Sequence, residues 1–315
     1  MSEPRTHEMD EARRGMIFGL LAYGSWGVLP IFFRALEPAG PLEILAQRIV
    51  WSSIFCMLIW LWKRELAWLF TIVRDVRKML VLGVAAYILA LNWGVYIYSV
   101  SIGNVLESSL GYFINPLMLV IVGVVVLGER MNPLQWTAIG LGTLAVLVIS
   151  IDYGRLPWIA LTLAISFTAY GYIKKRVGAN IGALETMTVE SLLLLPFAVG
   201  TLIFIKTHAN DLTFFSEGGR HTMLLILLGV ATMLPLSWFT AAATRLPLFM
   251  MGLMQFLAPI GQFLVAVFLF DEEVPLARWI GFGFVWMALV LLTVDTFHRA
   301  NARRRLRRAT LITPV

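Results

Sequence analysis

Charged and polar side chains interrupt several long apolar stretches of this sequence, at spacings that place them on the same face of a helix. Arg48 lies within the second apolar run, and Glu190 occupies the corresponding place 142 residues later. Asn115 follows Glu107 by eight residues, or two helical turns, with Ser108 adjacent. A charge at mid-bilayer costs at least roughly 2.5–3.5 kcal/mol, so such residues normally face a bundle interior or a water-filled cavity. These positions therefore indicate either ligand binding or pairing between helices.

Arg48 and Glu190 are candidate substrate-binding residues at the border of a central cavity, facing each other across a pseudo-two-fold axis. One alternative is a structural ion pair between them. Another is an Arg48 side chain that reaches the membrane surface, because Arg48 is only a few residues from its helix start. For Glu107, near an outer helix end, we expect hydration rather than proton coupling.

Amide and aromatic residues add further candidates to the same cavity. Amides in hydrocarbon need partners on neighbouring helices or on a ligand, and aromatic rings with one polar edge suit organic substrates. Interhelical hydrogen bonds and aromatic packing explain the same pattern without a ligand, and the sequence leaves both explanations open. The candidate substrate-binding residues are Trp26, Arg48, Asn92, Trp93, Tyr96, Ser108, Asn115, Glu190, Trp238, Gln255 and Gln262.

Signatures of catalysis and ATP hydrolysis are missing from the sequence. It contains no HExxH, no GxSxG and no GxxxxGK[ST] phosphate loop, and its four histidines fall in tails or connectors. We therefore expect no enzyme activity, no catalytic residue, no bound metal and no cofactor. Transport would have to be driven by a gradient. Cys56, the single cysteine, lies in an apolar run and is expected to be a small buried hydrophobe.

The composition indicates an integral membrane protein. Hydrophobic residues make up 59% and charged residues 14%, whereas soluble domains have roughly 45–50% and about 25%. A bilayer permits only helices or closed barrels, and long unbroken apolar runs such as 114–127 exclude the alternating pattern of barrel strands. The net charge of +6 does not indicate nucleic acid, because the basic residues lie in short connectors and the C-terminal tail.

The apolar runs predict about ten transmembrane helices, at roughly 17–25 residues for each span. An amphipathic segment at 64–78 predicts an additional helix at the membrane surface. The predicted spans are residues 15–34, 41–62, 79–100, 104–128, 133–151, 156–174, 184–205, 222–244, 248–270 and 276–297.

The placement of Lys and Arg predicts the orientation, because cytoplasmic flanks are enriched in them. With the N-terminus inside, most of the 25 basic residues fall on inner segments and tails. We therefore expect both termini in the cytoplasm. The basic residues on outer segments are Arg34, Arg155, Lys206, Arg220 and Arg278.

An internal repeat relates the two halves of the chain at a spacing of 143 residues. Each half holds about five helices, and an odd number forces the second copy to insert upside down. The predicted architecture is an all-α integral membrane protein with two inverted five-helix repeats, at 15–153 and 154–298. Cytoplasmic tails at 1–14 and 299–315 flank them. The matching pairs are Phe113 and Phe256, Pro116 and Pro259, Glu129 and Glu272, Trp136 and Trp279, Gly140 and Gly283, and Ala145 and Ala288.

Four segments carry a family resemblance: "GLLAYGSWGVLPIFF" at 19–33, "NWGVYIYSV" at 92–100, "GYFINPLMLVIVGVVVLGERMNPLQW" at 111–136 and its echo at 255–279. They resemble the drug/metabolite transporter superfamily with paired EamA domains, in particular its RarD branch. One departure is "DEEVPLARW" in the second copy where the first has "GERMNPLQW". The resemblance implies a ten-helix permease of the bacterial inner membrane that exports metabolites or xenobiotics. The branch is named for a chloramphenicol-sensitivity phenotype, which does not define a substrate.

Residues and resemblance together predict a secondary transporter that does not use ATP and exports a small organic metabolite or drug through a central cavity between the repeats. A membrane-embedded enzyme and a regulatory membrane scaffold without transport activity are the alternatives. The expected partners are a small-molecule substrate and the lipid bilayer. A homodimer is compatible with the sequence, and nucleic acid is not expected.

Overall fold

A computed structural model of the chain describes residues 3–128, 131–177, 182–209 and 212–312. Throughout these ranges the fold is all-α, without a β-strand, so the predicted class is confirmed. The helices are α1 (Glu3–Arg34), α2 (Pro41–Lys63), α3 (Ala67–Val73), α4 (Val76–Ser101), α5 (Val105–Leu127), α6 (Pro133–Tyr153), α7 (Trp158–Val177), α8 (Ala183–Phe204), α9 (Gly218–Ala243), α10 (Leu248–Met254), α11 (Leu257–Phe268) and α12 (Leu276–Ile312), with π-helical residues Ile205–Ala209 after α8.

Transmembrane segments account for most of the helices. Within the described ranges nine segments are long and apolar enough to cross a membrane, and α7 adds a shorter apolar stretch, Trp158–Ile173. The expectation of about ten spans is confirmed. The extra helix expected at 64–78 corresponds to α3, whose buried Ile72 packs against Leu82 of α4 and Val189 of α8. Its location at a membrane surface stays a prediction.

Local capping explains where several helices begin and end. Pro133 occupies the first turn of α6, where its missing N–H is harmless. The Asn132 side chain accepts from the Gln135 backbone N–H, and the Gln135 side chain accepts from the Asn132 backbone in return. Gly154 ends the helix with a positive φ of 62°. These signals fix the start and end of α6 independently of its apolar face.

The ninth predicted span is interrupted. Helices α10 and α11 cover it in two pieces that meet at Gln255 and Phe256. Pro259 lacks an N–H, so it cannot form the helical hydrogen bond to the Gln255 carbonyl. The Phe256 N–H instead bonds to the Leu253 carbonyl at 3.3 Å, a shorter step than in an α-helix. The apolar run predicts the length of this span correctly but does not show its break.

Eight spans form a closed ring, in which each helix contacts the next. The order around the ring is α1, α9, α2, α8, α4, α7, α5 and α11, and α11 contacts α1 again. Helices α6 and α12 pack against each other and both contact α5, and α12 also contacts α10. Side chains on the inward faces of different ring helices can therefore meet in the interior.

The inverted repeat and the domain division remain predictions. Exchanging the predicted halves would map the α1–α11 contact onto α7–α5, and the α1–α9 contact onto α7–α4, and all four contacts occur. Residues 1–2 and 313–315 of the predicted tails lie outside the described residues, as does Glu129 of the repeat. The remaining residues of both predicted tails continue α1 and α12 as helix.

Two glycines allow α1 and α11 to cross with their backbones in contact. A Cβ added at Gly261 would lie 2.8 Å from the Gly27 Cα, and one added at Gly27 would lie 3.2 Å from the Gly261 Cα. A Cβ at Gly140, on α6, would meet nothing within 4 Å. The α1–α11 crossing therefore requires glycine at both positions. Position 140 has room for a larger side chain.

We predict that Gly261→Ala destabilises the protein by about 1–3 kcal/mol, the usual cost of overpacking a tight contact. Gly140→Ala is the matched control and should be neutral or stabilising by about 0.5–1 kcal/mol, because alanine favours a helix over glycine. Thermal unfolding of the two purified variants in the same detergent measures the difference. Equal midpoints would show that the α1–α11 contact can relax without cost.

Candidate functional site

Arg48 lies inside the ring, in contact with side chains from other helices. It is only 5% exposed. Its Nε donates to the Thr232 Oγ1 of α9 at 2.9 Å. Its guanidinium carbon lies 4.1 Å from the ring centre of Trp93 on α4 and 5.8 Å from that of Phe33 on α1. The alternative in which Arg48 reaches the membrane surface is therefore wrong.

Two tyrosines complete this group. The rings of Tyr96 and Tyr112 are 5.6 Å apart, and Tyr96 also meets Phe33 at 5.8 Å. Because Phe33 also faces the Arg48 guanidinium, these ring contacts join both tyrosines to the same group. We call Phe33, Arg48, Trp93, Tyr96, Tyr112 and Thr232 the arginine cluster. It draws side chains from five ring helices, namely α1, α2, α4, α5 and α9.

Asn92 adjoins the arginine cluster but has its hydrogen bonds satisfied. Its Oδ1 accepts from the Tyr112 hydroxyl at 3.2 Å. Its Nδ2 donates to the Leu163 carbonyl at 3.1 Å and to Ser166 Oγ at 2.9 Å. These contacts join α4 to α5 and α7. The geometry is that of interhelical bonding, the alternative to substrate contact at this residue.

Glu190 belongs to a different group. Its carboxylate accepts from the Tyr170 hydroxyl at 3.1 Å, and Glu190 and Arg48 form no ion pair. The structural ion pair considered as an alternative for these two residues is therefore absent. Both side chains are buried, at 3% and 5% exposure.

Trp26 and Gln262 come together at the α1–α11 contact. The Gln262 Nε2 donates to the Trp26 carbonyl at 3.3 Å, while its buried Oε1 has no partner among the described residues. The Trp26 ring packs against Tyr23 at 5.4 Å and Phe239 at 6.0 Å. Trp26 and Gln262, two of the candidate residues, therefore belong to a second group that is separate from the arginine cluster.

The remaining candidates are not gathered at either group. Ser108 is fully buried and donates to the Val105 carbonyl of its own helix at 2.8 Å. Asn115 keeps a buried Oδ1 without a described partner. Gln255, at the break between α10 and α11, and Trp238, on α9, are half-buried and make no side-chain hydrogen bond within the described chain. Substrate contact stays a prediction for all eleven candidates.

Three glutamates, of which Glu43 and Glu107 are buried and Glu272 is half-buried, bind backbone N–H groups at one end of the bundle. We call this the carboxylate end, and it contains the connections 35–40, 102–104, 154–157, 212–217 and 269–275. Glu272 accepts from the first two N–H groups of α5, at 2.6 and 2.9 Å. Glu107 accepts from the Ile159 N–H of α7 at 2.9 Å. Glu43 accepts from the N–H groups of residues 213 and 214 at 3.0–3.1 Å.

Arginines reinforce the carboxylate end. Arg155 pairs with Glu107 at 2.8 Å, and Arg278 pairs with Asp152 at 2.7 Å. The hydrogen bond that Arg155 donates to the Glu107 carboxylate raises the pKa of Arg155. Burial raises the pKa of Glu272, although its two backbone hydrogen bonds oppose this shift. These contacts tie neighbouring connections to one another.

The role of these glutamates differs from the sequence expectations. The expected hydration of Glu107 is wrong, because its side chain is completely buried. Glu43 and Glu272 were not among the candidates. A signal for Glu43 was present, since "PLEILAQR" at 41–48 and "ALETMTVE" at 183–190 both carry glutamate as the third residue. Glu272 carries a comparable signal, because the internal repeat pairs it with Glu129, but its partners lie 166–167 residues away and cannot be read from that pairing.

Comparison with known proteins adds the family. The sequence profile of the EamA-like transporter family matches residues 13–151. Protein RarD of Streptomyces exfoliatus is 44% identical over 94% of this chain and 93% of its own length. The chain belongs to the EamA-like transporter family. Other relatives of this family include Protein RarD of Escherichia coli (strain K12), 36% identical over 91% of this chain and 96% of its own, and "Uncharacterized transporter YojE" of Bacillus subtilis (strain 168), 35% identical over 90% and 94%.

The fold of this EamA-type chain also matches a solved structure. One crystal structure superposes with a TM-score of 0.57 at 16% sequence identity, over 89% of this chain and 97% of the other. At that identity the match concerns the fold alone. The multiple spans and the transporter relatives together make this a multi-pass membrane protein of a transporter family. The described residues contain no group of three or more His, Cys, Asp or Glu side chains able to hold a metal ion.

Glu272 gives the carboxylate end a predicted pH dependence. Its raised pKa means that the folded state binds the proton more tightly than the unfolded state, so its contribution to stability is largest below the ordinary carboxyl pKa. That contribution is lost as the pH rises from about 4.5 through the raised value. Glu272→Gln should remove this part of the pH dependence. The measurement is the thermal unfolding midpoint of purified protein between pH 4 and 8.

Glu273→Gln is the control for this prediction, since Glu273 is an exposed neighbour on the same connection. It should follow the wild-type curve. If the Glu272 and Glu273 variants show the same slope against pH, burial of Glu272 does not contribute in the way described.

Proposed function

We propose that this protein is a secondary transporter that exports a small organic molecule across the bacterial inner membrane through the interior of the helix ring. The arginine cluster carries the proposal. It gathers polar and aromatic side chains from five helices. Arg48 lies roughly 10 Å along α2 from the start of that helix, at a rise of about 1.5 Å for each residue. Groups of this kind are expected at an intramembrane ligand site.

Sequence and family support the proposed mode of transport. The chain has no phosphate loop for ATP, so a gradient has to drive the transport. The name of the Bacillus relative favours transport over the alternatives of a membrane enzyme or a regulatory scaffold. Export is the direction that the family resemblance implies.

The carboxylate end supports a mechanism of alternating access. Its connections are tied by buried glutamates and ion pairs, which favours closure of the ring on this side. The proposed substrate would then reach the interior from the opposite end. In transporters of this kind, one part of the bundle moves against the other around a site near the middle of the membrane.

We predict that the opposite end and both termini face the cytoplasm. In a Cys56→Ser background, which has no cysteine, Arg74→Cys and Arg305→Cys should react with a membrane-impermeant maleimide only after the cells are permeabilised. Glu273→Cys, at the carboxylate end, should react in intact spheroplasts. Labelling of positions 74 and 305 from different sides would contradict both the orientation and the number of spans.

We predict that purified protein in liposomes transports at least one of three radiolabelled probes, namely chloramphenicol, phenyl phosphate and uridine. Arg48→Ala should reduce the flux about tenfold or more, because a hydrogen bond to a charged group contributes about 1.5–3 kcal/mol. Asn115→Ala should reduce it by a smaller factor, because its lost hydrogen bond is neutral.

The exposed residues Arg77 and Thr143 provide matched controls, and Arg77→Ala and Thr143→Ala should retain wild-type flux. Absence of flux above protein-free liposomes for all three probes would overturn the transport proposal. Flux that persists unchanged in both site variants would remove Arg48 and Asn115 from the mechanism.

A further inference from the structure

We infer that the arginine cluster binds an anion, so that the transported molecule is a small organic anion whose carboxylate or phosphate contacts Arg48. The identification of the bound molecule as a transported substrate rests on the proposed function. The binding of an anion rests on the local contacts alone.

Arg48 is a buried permanent cation. The guanidinium group does not lose its proton in proteins, so burial cannot be relieved by neutralisation. Its side chain is 5% exposed and lies within a transmembrane helix. A buried charge is normally paired with an opposite charge or held by several hydrogen bonds. Arg48 therefore needs a compensating partner.

The described residues do not supply that partner. Among contacts with the described residues, Nε is the only guanidinium nitrogen with a hydrogen bond, and its acceptor is the neutral hydroxyl of Thr232. That hydroxyl in turn donates to the Leu228 carbonyl at 2.7 Å. No carboxylate of the described chain lies within 4.0 Å of Arg48. Both terminal nitrogens are left without an acceptor there.

The buried carboxylates of the described chain are bound elsewhere. Glu43 accepts from the backbone of residues 213–214, and Glu107 accepts from Arg155 and the Ile159 N–H. Glu190 accepts from Tyr170, and Asp295 accepts from Asn132 on the α6–α12 side of the bundle. Neutralising Arg48 with one of them would leave other donors unpaired.

Aromatic contacts compensate the charge only in part. The faces of Trp93 and Phe33 attract the guanidinium, but a cation–π contact contributes less than the cost of holding an arginine inside a membrane. Aromatic faces also fix the plane of the guanidinium, which leaves its edge free for the two parallel hydrogen bonds that carboxylates and phosphates form with arginine.

Tyr96 adds an independent sign of a missing ligand. Its side chain is 3% exposed, and its hydroxyl has no hydrogen-bond partner among the described residues. A buried hydroxyl normally has a partner. Its ring contacts Phe33 and Tyr112 within the arginine cluster. The cluster thus offers unused donors from Arg48 and Tyr96 and no anionic group, which is the donor set for an oxyanion.

The rings around Arg48 indicate the rest of the ligand. Trp93 and Tyr112 are only partly buried and present apolar surface beside the guanidinium. A molecule with one anionic group and a flat or apolar body would pair its charge with Arg48 and pack its body on these rings. Benzoate and phenyl phosphate are the simplest probes of this chemistry, and benzamide is the neutral counterpart of benzoate.

The test measures binding to the purified full chain by isothermal titration calorimetry, with thermal stabilisation as a second readout. Benzoate should bind at least about tenfold more tightly than benzamide, because hydrogen bonds to a charged group are the stronger ones. Phenyl phosphate should also bind, and its affinity relative to benzoate shows whether carboxylate or phosphate is preferred.

Three variants keep the test decisive. Arg48→Met removes the charge but retains a long apolar stem, and it should abolish the preference for benzoate over benzamide. Arg48→Lys keeps a cation and should preserve the preference with weaker binding. Arg77→Met is the control, because Arg77 is an exposed cation at the opposite end, and it should behave as wild type.

Equal binding of benzoate and benzamide to the wild type would overturn the inference, as would a benzoate preference that survives Arg48→Met. If Arg48→Met does not fold, the preference for benzoate over benzamide in the wild type and in Arg48→Lys still tests the inference. Failure of the proposed function is distinguishable, since Arg48-dependent benzoate binding without flux of any probe would contradict transport but not the anion site.

Discussion

The first turn of every transmembrane helix has backbone N–H groups that find no backbone carbonyl within the same helix, and hydrocarbon offers them no alternative partner. At the carboxylate end the protein meets this constraint with glutamates that are fully or partly buried. Glu272 binds the start of α5, and Glu107 binds the start of α7. A carboxylate in this position also benefits from the positive end of the helix dipole. The placement of these negative charges affects the charge balance of the interior.

One consequence is an imbalance of charge inside the ring. A glutamate that accepts from two backbone N–H groups is no longer available to neutralise an arginine without exposing those donors. Glu43 is one such carboxylate, because it lies on the same helix as Arg48 and binds the backbone N–H groups of residues 213 and 214. Arg48 is left with Thr232 and aromatic faces. Within the described chain, the positive charge of Arg48 therefore has no counterion, while the carboxylates near it close one end of the bundle.

Hydropathy predicts the spans because the free energy of burying an apolar run in lipid depends on composition and length, both of which can be read along the chain. The pattern fails where local backbone chemistry decides. Pro259 lies in the ninth span and was recognisable as a helix breaker, but the sequence does not show whether neighbouring helices hold the two pieces in line. Helix α12 extends to Ile312, far beyond the apolar residues, because a helix with charged side chains is stable outside the hydrocarbon region.

The candidate site was predictable in its residue types but not in its pairings. Arg48, Trp93 and Tyr96 stood out because polar and amphipathic groups are costly or unusual in such helices, a property of each residue by itself. Thr232 did not stand out, since a lone threonine in a transmembrane helix usually bonds to its own backbone, and it does so here as well. Its second role, accepting from Arg48, exists only because α2 and α9 pack closely enough that a Cβ at Gly229 would lie 2.6 Å from the Trp51 backbone. Arg48 and Thr232 are 184 residues apart in sequence. Their pairing depends on how closely two helices approach, so it cannot be predicted from the sequence of either helix alone.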